Sequence, residues 1–157
     1  LWLVAINAFD PALDSGQWDL AETLARQLLQ LSQRMSTDEG ENPENLRALS
    51  VSLNKVGDCE SALGRTESAL SHYQESLQIA RELKDELGCT PLVLNDLAIS
   101  LKKLGDCENS LNHPEPALAA YQECLPLLER LHASQPYDRY SRRLNDIKEK
   151  IAALQKK

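Results

Sequence analysis

The chain repeats itself every 48 residues, and this period constrains the fold more than any single residue does. Asp10, Asp58 and Asp106 are separated by it, as are Ala21, Ala69 and Ala117, and Leu29, Leu77 and Leu125. The turn positions read Gly16, Gly64 and Asn112. The segment KVGDCESAL at Lys55–Leu63 returns as KLGDCENSL at Lys103–Leu111, and SALSHYQESL at Ser68–Leu77 returns as PALAAYQECL at Pro116–Leu125. A fixed period of a few tens of residues marks a stacked array whose units hide their apolar faces only against one another.

Within each period the apolar spacing is that of two helices. In the second unit Leu46, Leu49, Leu53 and Val56 fall on one stripe of a helix over Asn45–Leu63, entered through Asn42-Pro43. Gly64 breaks it, and a second helix over Thr66–Leu87 carries Ala69, Leu70, Tyr73, Leu77, Ala80 and Leu83. Gly88 ends that helix and Thr90-Pro91 opens the next. The third unit repeats the plan with Leu94, Leu97, Leu101 and Leu104, then Ala117, Leu118, Tyr121, Leu125, Leu128 and Leu131. In the first unit the second helix covers Gln17–Met35. The first helix begins at Leu1, and Pro11 predicts a kink near Asn7–Asp10 or a restart at Asp10. A last helix over Asp138–Leu154, with Leu144, Ile147, Ile151 and Leu154 on one face, reads as a polar-backed cap. The fold expected is all-α, an antiparallel helix-pair solenoid. It forms a single domain over 1–157, with an incomplete unit at 1–41, full units at 42–89 and 90–136, and a capping helix at 137–157. The linker Ser36–Pro43 reads as polar and mobile.

Composition narrows the function. Only 4% of residues are aromatic, so the core is largely Leu and Ala, which favours helix. No apolar run is long enough to cross a membrane. Net charge is −7, unevenly spread: residues 1–60 hold ten acids and four bases, and residues 126–157 hold four acids and eight bases. An acidic body argues against nucleic-acid binding. Cys59 and Cys107 are repeat-equivalent and Cys124 stands where Ser76 stands, so these read as small buried residues of a reduced, cytoplasmic protein. Neither the cysteines nor the scattered His72, His113 and His132 have metal-ligand spacing. No phosphate loop, HExxH or GxSxG is present. Tyr73 and Tyr121 read as core, Trp18 as packed between helices, and Glu60 and Glu108 as solvated or interhelix positions. No cofactor is expected, and hydrolase chemistry is the least favoured function.

These residues resemble the tetratricopeptide repeat. The second unit supplies Leu53, Val56-Gly57, Gly64, Ala69, Tyr73 and Ser76; the third supplies Leu101, Leu104-Gly105, Asn112, Ala117, Tyr121 and Cys124. The first keeps Gly16 and Ala21 but has Phe9 in place of the close-packing glycine. The usual period is about 34 residues; the additional fourteen here lengthen each helix by about two turns, roughly 10 Å. The longer form is similar to extended repeats of bacterial multidomain proteins. That likeness implies a protein-binding or scaffold module, a fragment of a larger cytoplasmic protein. The alternative it leaves is a regulatory segment acting on an attached catalytic or signalling domain. It further implies that first helices line a concave groove, here with Leu3, Ile6 and Asp10, then Val51, Asn54, Asp58 and Ser61, then Ile99, Lys102, Asp106 and Asn109. The three aspartates would form an acidic row for a basic peptide, or each would pair with a neighbour such as Lys102 or Lys55. Asn54 and Lys102 resemble the residues with which some members grip a C-terminal carboxylate, but the adjacent aspartates would repel one. The apolar run Leu1–Phe9 predicts an upstream helix or self-association.

Overall fold

The computed structural model describes residues 2–38, 40 and 42–156. Among them are seven α-helices and no strand: α1 (Trp2–Asp14), α2 (Trp18–Asp38), α3 (Pro43–Ala62), α4 (Thr66–Leu87), α5 (Pro91–Ser110), α6 (Pro114–Ser134) and α7 (Asp138–Gln155). The chain is therefore all-α and built of helix pairs. It falls into two compact units, residues 1–79 and 80–157, with the boundary inside α4.

The three hairpin turns are built alike. Gly16, Gly64 and Asn112 have φ of 72°, 76° and 58°. At each, the next residue's N–H reaches back five positions: Gln17 to Ala12, Arg65 to Glu60 and His113 to Glu108. This is the left-handed helix ending that satisfies the last carbonyls. Asn112 serves in the third hairpin because asparagine enters that region more readily than other side chains. The helix starts are also set locally. Asn42 Oδ1 accepts from Asn45 N at 2.9 Å and Thr90 Oγ1 from Val93 N at 3.3 Å, each with proline following in the first turn.

In the first unit α1, α2 and α3 bury one cluster of Ala5, Phe9, Ala12, Ala21, Ala25, Leu28, Val56 and Cys59. In the second unit Leu94, Leu97, Leu101, Tyr121, Leu128, Leu131 and Ile147 are buried between α5, α6 and α7.

Two expectations need correction. The restart expected at Asp10 is not found: α1 runs through Pro11 to Asp14 as one helix. The lost hydrogen bond and ring clash cost about 3 kcal/mol, but Pro11 faces solvent while Phe9 and Ala12, on either side, are buried. Packing on both flanks holds the helix together. Pro126 is carried within α6 in the same way, exposed between buried Cys124 and Leu128. The linker is shorter than Ser36–Pro43, because α2 continues to Asp38. The buried side-chain amide of Asn45 donates to Met35 O at 3.1 Å and to Gly40 O at 3.0 Å. Leu1, Glu39, Glu41 and Lys157 lie outside the described residues.

Candidate functional site

The site anticipated from sequence is the face of the first helices, α1 and α3 in the first unit and α5 in the second. Its aspartates are engaged. Tyr73 Oη donates to Asp58 Oδ1 at 2.9 Å, and Tyr121 Oη donates to Asp106 Oδ1 at 2.7 Å. Both tyrosines are buried, so each pair ties a first helix to the second helix of its own hairpin. Asp10 has no such tyrosine, since Ala25 stands at the corresponding position.

A lysine from the following first helix completes the arrangement. Lys55 Nζ of α3 donates to Asp10 Oδ1, and Lys150 Nζ of α7 donates to Asp106 Oδ1 at 2.9 Å. The same two ammonium groups stand over aromatic rings: Lys55 is 5.2 Å from the centroid of Phe9, and Lys150 is 5.7 Å from that of Tyr121. Phe9 and Tyr121 come from opposite helices of their hairpins yet occupy matching places. In the later hairpins the ring belongs to the second helix and lies over a glycine of the first. A Cβ at Gly57 or Gly105 would come within 2.5 Å of Tyr73 or Tyr121 Cε1. In the first hairpin the large and small residues are exchanged, as Phe9 with Ala25.

In the second unit Asp106 sits in a ring of charge. Lys102 Nζ donates to it at 2.6 Å and lies 3.5 Å from Asp146 of α7. Burial pushes the Asp106 carboxyl up, and the hydrogen bonds from Lys102, Lys150 and Tyr121 outweigh it and hold the group below the ordinary carboxylate range. Lys102 is likewise pushed down by burial, then carried above its ordinary value by Asp106 and Asp146. Arg143 of α7, its pKa lowered by burial, donates to Asn95 of α5 at 2.8 Å. Lys102 thus pairs with Asp106 as its spacing allows, whereas Lys55 reaches Asp10 on the preceding first helix.

The remaining anticipated residues divide by exposure. Leu3, Asp10, Ser61 and Asn109 are exposed; Ile6, Val51 and Ile99 are half-buried; Asn54 is buried. Sequence reasoning missed a cleft of about 500 Å³ in the first unit, lined by Trp2, Leu3, Leu31, Met35, Glu44, Arg47 and Ala48. Only Leu3 among the anticipated residues borders it. Its floor is apolar and its rim carries one acid and one base. Trp2 is fixed beside it, Nε1 donating to Ser52 Oγ at 2.9 Å.

Glu60 and Glu108 are interhelix groups. Glu60 accepts from Ser68 Oγ at 2.7 Å and lies 2.8 Å from His72 Nδ1; Glu108 lies 2.7 Å from His113 Nδ1. At Glu60 the carboxylate stands between serine and histidine, so the imidazole is not placed to take the hydroxyl proton as a nucleophilic site requires. Cys59, Cys107 and Cys124 are buried thiols outside any disulfide, and Cys89 is an exposed one. Burial pushes the Cys124 thiol up to about 12. Trp18, anticipated between helices, is instead exposed at the start of α2. No helix among the described residues is long and apolar enough to cross a membrane.

Comparison with known proteins agrees with this architecture. Two solved structures align over most of the chain. One is the yeast histone chaperone Hif1, a scaffold protein recruiting protein complexes to core histones (20% identity, TM-score 0.68, 88% of this chain and 55% of that one). The other is BtubC from P. vanneervenii (21% identity, TM-score 0.64, 94% of this chain and 59% of that one). At such identities the likeness concerns the fold. This chain spans little more than half the length of either. No curated protein sequence matches it. A family model for the tetratricopeptide repeat matches residues 48–130, more than half of the chain. With its paired helices, its glycine-under-tyrosine contacts and that match, the chain belongs to the tetratricopeptide repeat family.

Proposed function

We propose that this chain is a non-catalytic protein-interaction module that holds a partner segment against its first helices. The observation that carries the reading is the cleft of Trp2, Leu3, Leu31, Met35, Glu44, Arg47 and Ala48. It has the size and apolar floor to take one large side chain, and Glu44 and Arg47 are placed to orient the polar backbone or charge beside it. Of the residues anticipated from sequence, Leu3, Asp10, Ser61 and Asn109 are exposed enough to touch a partner. Asp58 acts through Tyr73, and Asp106 through Tyr121, Lys102 and Lys150. The acidic body favours a partner bearing Lys or Arg and disfavours nucleic acid or an anionic membrane surface. Four cysteines held as thiols suit a reducing compartment such as the cytoplasm.

The test starts with capture of the partner by the intact protein from its source, followed by titration calorimetry with the purified partner. Met35→Glu in the cleft should weaken binding at least tenfold with the melting temperature nearly unchanged. Alanine at Asp10 and Ser61 should produce a smaller loss. Binding untouched by Met35→Glu would remove the cleft from the account.

A further inference from the structure

The face of the first hairpin turned away from α3 carries a second groove, which shares only Leu31 with the cleft above. It measures about 350 Å³ and is lined by Val4, Ala5 and Ala8 of α1 and by Leu24, Leu31 and Arg34 of α2, with Gln27 and Gln30 between. Val4 is 72% exposed and Leu20, at the head of the same α2 stripe, 46%. The repeat shows what such a stripe ordinarily meets. Val4 and Ala8 stand 48 residues before Ser52 and Val56. Both of those are buried in α3, and Val56 packs into the cluster with Ala21, Ala25 and Leu28 of α2. Where the stripe recurs within the first unit, a helix covers it.

We propose that the occupant of this groove is a second copy of the chain, packed on the same hairpin by a two-fold axis, with α2 running antiparallel to α2 of the other copy about Gln27. Charge selects this occupant. The chain carries a net charge of −7, so two copies repel unless they meet where carboxylates are missing, and no acid lines this groove. The ends of α2 are then complementary. Asp19 lies eight residues before Gln27 and Arg34 seven after it. At a rise of about 1.5 Å per residue these are roughly 12 and 10.5 Å from the centre. An antiparallel pair therefore brings each Asp19 alongside Arg34 of the second copy, twice, as an isologous interface requires. Neither side chain has an ion-pair partner among the described residues. Leu24 and Leu31 close over the two-fold axis between these pairs, and Leu20 packs at the level of each pair. The basic outer face of α7 offers no counterpart, since Arg142 and Lys156 would meet the apolar groove unpaired.

Sedimentation velocity on the chain from micromolar to near-millimolar concentration tests the proposal. A monomer–dimer equilibrium is expected. The isosteric pair Gln27→Glu and Gln30→Glu should weaken it by roughly tenfold or more, by placing like charges across the axis, with the circular dichroism spectrum unchanged. Asp19→Arg alone and Arg34→Asp alone should each weaken the dimer, and the two together should restore it. A chain that stays monomeric throughout overturns the proposal, as does a dimer indifferent to the glutamate pair or one abolished by Arg142→Glu in α7. None of these substitutions lines the cleft that we propose for a partner, so loss of dimer with partner binding intact separates the two sites.

Discussion

Gly105 lies directly beneath the ring of Tyr121, so close that a Cβ there would stand 2.5 Å from Cε1. Glycine in a helix interior ordinarily costs about 1 kcal/mol relative to alanine, and Gly105→Ala would by that rule stabilise α5. The ring is buried, however, and cannot move without disturbing its bond to Asp106. Overpacking of about 1–3 kcal/mol outweighs the gain. Urea denaturation should show Gly105→Ala and Gly57→Ala both destabilised.

The exchange seen in the first hairpin gives a sharper test. Gly105→Phe together with Tyr121→Ala recreates in the third hairpin the pairing of Phe9 with Ala25. The double variant should be more stable than the sum of the two single changes implies, by about 1–3 kcal/mol. A coupling energy near zero in that mutant cycle would show that ring and glycine do not share one space.

Asp106 makes stability depend on pH. Its carboxyl is held below the ordinary range in the folded chain. The folded state therefore favours the charged form, and the stability this supplies is present above the unfolded value near 4. It is lost as the pH falls through the folded value. About a third of the side chain is exposed, so solvent screening limits the effect to roughly 1 kcal/mol. Urea unfolding at pH 7 and pH 3 should show a larger acid loss for the wild type than for Asp106→Asn; equal losses would assign the acid sensitivity elsewhere.

Ser50 and Ser76 form a buried couple. Their hydroxyls lie 2.9 Å apart, and each also reaches the other's carbonyl, at 3.1 and 2.9 Å. One period later the same places hold Ala98 and Cys124, with Cys124 Sγ 3.3 Å from Ala98 O. Ser50→Ala leaves Ser76 Oγ its bond to the carbonyl of residue 50 and removes only the hydroxyl–hydroxyl contact and the bond to Ser76 O, at about 0.5–1.5 kcal/mol. Ser50→Ala should therefore cost about 1 kcal/mol alone and less when Ser76→Cys is already present, read from thermal melts of both single variants and the double.

The thiols separate cleanly. Cys89 is exposed in the turn between α4 and α5, and the other three cysteines are buried. A disulfide reagent should titrate one thiol rapidly in the native chain and four in denaturant. Fast native reaction of Cys124 would contradict its burial and its thiol pushed up to about 12.

The helices were legible because their signals are local. α4 begins and ends at Thr66 and Leu87, where the stripe, Gly64 and Gly88 place it. Thr90 caps α5 as its residue type suggests. What escaped depends on partners far away in sequence. The spacing of Lys55 and Asp58 invites a pair on one helix, yet Lys55 binds Asp10 from the preceding first helix, 45 residues back. Pro11 looks like a breaker because the sequence does not display the core holding α1 on both sides of it. The cleft was hidden for a related reason: its walls come from three helices, and only Leu3 lay on the stripe the repeat pointed to.

The exchange of Phe9 and Ala25 for Gly57 and Tyr73 bears on how such arrays diverge. What recurs from hairpin to hairpin is a filled volume, with a cation above it in the first and third, and either helix can supply the ring. A comparison that scores each position by its letter records two losses in the first hairpin, where the packing has none. Degenerate terminal repeats are better sought by pairing positions sixteen apart, asking whether the sum of their sizes holds steady.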